Sequence, residues 1–151
     1  MTPKQQLDRF IDKFSKEVAV IARGALARMR KQLPTATAMV YDNYNALAIG
    51  FGPTERASDA IFSIAVFPRW VSLFFLQGVG LPDPDRLLRG KGNVVRHIVL
   101  AKASDLELPG TRALMEAALA SAKTPLPAMG RGMLVIKSIS KKQRPRRPAK
   151  R

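Results

Sequence analysis

Between residues 3 and 33 the apolar side chains recur every three or four positions: Leu7, Phe10, Ile11, Phe14, Val18, Ile21, Ala22, Leu26, Met29 and Leu33. That spacing draws one apolar stripe along a helix. No proline falls between Pro3 and Pro34, and Ser15 suits the start of a second helix. The pattern therefore predicts helices over roughly 3–14 and 16–32, with one continuous helix as the alternative. The stripe is too short for a coiled coil and runs into strand-like sequence.

From residue 37 the period shortens. TAMVYD, ALAIGF, DAIFSIAVF and WVSLFFLQ are short runs rich in β-branched and aromatic residues, separated by turn signals at Asp42-Asn43, GPTERAS and Pro68-Arg69. Connections this short join antiparallel neighbours, so the four runs read as a meander. LPDPDRLLRG then offers Asp83 as a cap, Pro84 at a first helical position and Gly90 as a stop, which predicts one helical turn. VVRHIVLA (94–101) reads as a fifth strand, with Val94, Arg96, Ile98 and Leu100 on one face and Val95, His97 and Val99 on the other. TRALMEAALASA (111–122) is helical, PLPAMGRG a linker, and MLVIKSIS a strand at the sheet edge. The fold class that emerges is α+β, an antiparallel sheet of about five strands packed against N-terminal and C-terminal helices.

Composition narrows the chemistry. The chain has 151 residues, 46% of them hydrophobic and 25% charged, as expected of one globular domain. It has no cysteine, which excludes disulfides, thiolate metal sites and thiol nucleophiles and suits a reducing cytoplasm. No basic cluster followed by a long apolar run opens the chain, and no stretch approaches the roughly 20 residues of a membrane span. Charge is the one extreme: 26 basic against 11 acidic residues give +15. Seven of the cations sit in the last eleven residues, namely Lys141, Lys142, Arg144, Arg146, Arg147, Lys150 and Arg151. Without them the body still carries 19 basic against 11 acidic residues, or +8. Beyond Ser140 only Ala149 is apolar, so the expectation is a single domain over 1–140 and a disordered polybasic tail over 141–151.

Two segments, YDNYNALAIGFGPTERASDAIFSIAVFPRWVSLFFLQG (41–78) and LLRGKGNVVRHIVLAKASDLELPGTRALMEAAL (87–119), together resemble the YdhG-like family, a large bacterial family catalogued mostly as a domain of unknown function. The resemblance spans about residues 5–125. It implies a sandwich of sheet and helices similar in outline to frataxin, and one branch of the family is described as a frataxin-like intracellular iron chaperone. Iron would be the cofactor or cargo that this resemblance implies. The residues oppose that choice. Positions 3–33 hold three acidic side chains, Asp8, Asp12 and Glu17, among eight basic ones, and a positive field disfavours a cation site.

Candidate chemistry is sparse. His97 is the sole histidine, so no two-histidine metal site forms within one chain and no metal ligands are assigned. With Arg96, Lys91 and the glycines at 90 and 92 it suggests an anion-holding loop, although a packed strand histidine on a hairpin-entry loop explains the same residues. Tyr41, Asp42, Asn43 and Tyr44, with Arg56, Arg69 and Trp70 from neighbouring loops, suggest the rim of a pocket for a small anion; an ordinary turn is the plainer account. No nucleophile motif and no selected carboxylate pair is present, so no catalytic residue is assigned and the reading is non-enzymatic. The expected function is a small-ligand-binding or iron-handling module. The alternative is a nucleic-acid-associated accessory protein that binds polyanions through its basic body and tail, with the seven tail cations as contacts. The tail lacks aromatic residues, and Pro145 and Pro148 oppose a continuous helix entering a groove.

Overall fold

Thr2 opens the first helix with a capping box: its hydroxyl accepts from the Gln5 N–H while the Gln5 side chain accepts from the Thr2 N–H. Helix α1 runs Pro3–Asp12, and Ser15 caps α2, Lys16–Gln32, through the Val18 N–H at 3.3 Å. In this computed structural model, which describes residues 1–149, three α-helices and six strands follow that start. The strands are β1 (Thr37–Asp42), β2 (Leu47–Gly52), β3 (Phe62–Val66), β4 (Val71–Phe75), β5 (Arg96–Leu100) and β6 (Leu134–Ile139); α3 is Pro109–Ser121. They form one sheet in the order β5-β4-β3-β2-β1-β6.

Strands β1 to β4 are the predicted antiparallel meander, β5 adds antiparallel to β4, and the Phe67 N–H to Trp70 carbonyl bond (2.9 Å) closes the Pro68-Arg69 turn. The sixth strand corrects the expectation of a purely antiparallel five-stranded sheet. After β5 the chain crosses through α3 and returns along 122–133 to the opposite edge, where β6 lies parallel to β1 with a register shift between Val40 and Tyr41. Only such a crossover delivers a parallel neighbour. Gly132 permits the approach: its N–H donates to the Pro34 carbonyl at 2.8 Å, and a Cβ at this position would overlap the Ala36 carbonyl oxygen. A second correction concerns 83–90, which is a turn and not a helical one; Asp83 accepts from the Leu87 and Leu88 N–H groups at 2.8 and 2.9 Å. Arg89 then pairs with His97, so a single residue lines the outer edge of β5.

The core lies between one face of this sheet and the helices. Val40, Ile49, Phe62, Ile64, Val66, Leu73 and Phe75 point into it and meet Phe10, Ile11, Phe14, Ala22, Met29, Leu114 and Met115. Phe62 and Phe75 are register partners whose rings meet edge to face at 5.6 Å. Phe62→Ala is expected to lower stability by about 3–5 kcal/mol. Val20→Ala, at an exposed position of α2, is expected to change it by less than about 0.5 kcal/mol. Urea unfolding of the two variants checks the contrast.

Candidate functional site

Strand alternation that sends those apolar residues into the core sends a second set to the opposite face, which no α-helix of the described residues covers, although the β2–β3 loop lies against its Gly50 and Gly52. Register aligns this set in rows across the sheet. One row runs Val135, Met39, Gly50, Ser63, Phe74, His97; the next runs Ser138, Tyr41, Ala48, Ala65, Ser72, Val99. Phe67 and Trp70 extend the same face at the β3–β4 turn, stacked at 4.9 Å. The small residues of β2 and β3 therefore make the floor of a valley. Tyr41 borders it on one side over the fully buried Met39, with the Tyr41 hydroxyl 3.7 Å from the Met39 sulfur. Phe74 and His97, stacked at 5.1 Å, rise on the other. Ser72 sits on this face with 1% exposure, and its hydroxyl has no hydrogen-bond partner.

Among the described residues Asp42 is the only acidic residue in a strand, and it points to the helix side. The open face thus carries no strand carboxylate, while exposed Arg69 and Arg89 flank Trp70 and His97 in sequence and pairing. The pKa of His97 is lowered from its ordinary 6.5, first by partial burial and then by the Arg89 charge. The unfolded chain consequently takes up this proton before the folded one as pH falls, so stability declines below about pH 6.5. His97→Gln is expected to flatten that decline. Urea midpoints at several pH values between about 5 and 8 measure it, and equal pH slopes in both proteins would refute the assignment.

Asp42 belongs to a different constellation. Its buried carboxylate accepts from Arg146 Nη2 at 2.8 Å, and Lys13 Nζ stands 3.7 Å from the other oxygen. Arg146 also donates to the Asn43 carbonyl at 2.6 Å and lies 5.6 Å from the Phe14 ring centre. Around it, Gln143 bonds the Asp42 carbonyl, the Arg144 N–H bonds the Tyr44 carbonyl, and the Arg147 guanidinium bonds the Lys13 carbonyl at the end of α1. The segment expected to be a disordered tail is therefore docked over 140–147, because a carboxylate withdrawn from water demands a cation. Of the tail cations, Lys141, Lys142, Arg144 and Arg147 stay exposed, and Lys150 and Arg151 lie outside the described residues. Arg146→Ala is expected to cost about 3–5 kcal/mol by stranding Asp42, and Arg147→Ala far less. Pairing Arg146→Met with Asp42→Asn should restore much of the loss, a double-mutant cycle read by denaturant midpoints.

The 90–97 loop does not assemble an anion site from all its named members. Arg96 turns its guanidinium back onto the Gly92 and Val95 carbonyls at 2.6 and 2.8 Å, away from the face that holds His97. Lys91, Asn43 and Tyr44 are exposed. Tyr41, Trp70 and His97 share the open face with Arg69 at its turn, whereas Asp42 and Arg96 do not. The floor residues and Met39, Phe67 and Phe74 had no motif to mark them; the second parity of each strand was their signal. No protein-family model matches this chain, and no curated protein or solved structure matches it either.

Proposed function

We propose that the protein is a non-enzymatic binding module of the YdhG-like type whose ligand lies on the helix-free face of the sheet and joins a flat ring to an anionic group, as a nucleotide does. One observation carries this reading: a face without a strand carboxylate, with aromatic walls and a small-residue floor, in a protein of charge +15. Flat rings stack on Trp70, Phe74, His97 or Tyr41, and the cations at 69 and 89 attract the anion. The iron-handling half of the family expectation gains nothing from the side chains, since Asp12 is paired with Arg23, Glu107 with Arg28 and Asp42 with Arg146. A second reading, non-specific contact with polyanions, draws on the exposed Lys141, Lys142 and Arg144.

Trp70 is the only tryptophan and is 44% exposed, so its fluorescence reports the site directly. Adenosine monophosphate is expected to quench it saturably, ribose 5-phosphate and inorganic phosphate much less. Arg69→Glu should weaken the nucleotide by about tenfold, a difference of about 1.4 kcal/mol. A flat titration to millimolar nucleotide would refute the reading.

A further inference from the structure

The aromatic positions on the open face are too far apart for one nucleotide. Tyr41 stands on β1 and Phe74 on β4, three strand spacings or about 14 Å away, and His97 is one strand further. Trp70 and Phe74 occupy the same strand direction four residues apart, about 13 Å. One base covers one such platform. We infer, resting on the reading of this face as a nucleotide-binding surface, that its ligand is a single strand of nucleic acid laid across the sheet, with separate bases on Tyr41, on the Phe67–Trp70 stack and on the Phe74–His97 stack.

Three features support a strand over a duplex or a scattered polyanion. Aromatic platforms take bases by their faces, which a duplex keeps hidden in its own stack. The floor between platforms is built of the small residues Ala48, Ser63 and Ala65, while Gly50 at its margin is covered by Ala60 of the β2–β3 loop. Exposed Arg69, in the β3–β4 turn, and Arg89, paired with His97 of β5, border the path. Stacking with few base-edge contacts makes the site tolerant of sequence.

The test is a length series of fluorescently labelled oligouridine and oligothymidine (one, three, six and twelve nucleotides) beside a matched duplex, measured by anisotropy with the full chain at several salt concentrations. Affinity is expected to climb from one to about six nucleotides and then level off, with the duplex at least about tenfold weaker than the equal-length strand. Trp70→Ala and Tyr41→Ala should each lose about 5- to 150-fold for the six-nucleotide strand. Trp70→Phe should retain most of the affinity, and thermal melts confirm that each variant is folded. A mononucleotide as tight as the six-nucleotide strand overturns this inference and leaves the nucleotide reading standing. A duplex as tight as the strand, with aromatic variants unchanged, overturns it in favour of contact by charge alone. Failure of mononucleotide and strands alike overturns both.

Discussion

All three helices of the described residues pack on one face of a six-stranded sheet, and that one-sidedness governs the rest of the structure. A two-layer arrangement buries each strand's apolar parity against helices and leaves the other parity to meet solvent. In an ordinary solvated face that second parity is charged. Here it is uncharged on every central strand, small or aromatic apart from Met39, and the charge excess sits in helices, turns and the C-terminal segment instead.

The same one-sidedness explains why a carboxylate occurs in the core. Asp42 ends β1 with the parity of Val40, so it enters the helix layer at the margin where α1 gives way to α2. Phe14 closes that margin from the helix junction. Arg146 supplies both the counter-charge and the volume that fills the remaining gap. An ion pair in such surroundings adds little net stability compared with apolar side chains of the same shape, because both partners lose hydration. What it imposes is geometry. The C-terminal segment, the β1–β2 turn and the end of α1 must meet in one arrangement, since any other leaves a charge stranded.

Much of this was legible along the chain, and the failures share a cause. The stripe of residues 7–33, the cap at Ser15, the four-strand meander and the helix near 111 follow from periodicity and turn chemistry, which are local. The direction of β6 is not local. Its apolar pattern predicts a strand, but only the crossover from the far edge decides that it runs parallel. The docking of 140–147 was hidden for a related reason: a test for burial that counts apolar residues cannot see a guanidinium drawn inside by a carboxylate about a hundred residues away in sequence. At the site, residue type singled out Tyr41, Trp70 and His97, which strand parity places on one face of the sheet. It also grouped them with Asp42 and Arg96, each one step away in sequence, which strand alternation sends to the other side.

Charge in this protein consequently does two separate jobs. Arg146 is committed to the fold, and Arg147 is engaged at the end of α1, so neither is an unengaged cation awaiting phosphate. Detaching Arg146 to serve a polyanion would strand Asp42, a cost larger than one phosphate contact in salt returns. Of the other exposed cations, Arg69 and Arg89 stand at the turns beside Trp70 and His97, next to a face whose strands carry no carboxylate. On the proposed reading, a polyanion would seat where Arg69, Arg89 and the aromatic side chains of this face coincide, so that electrostatic attraction and ring stacking would act on one ligand at one surface.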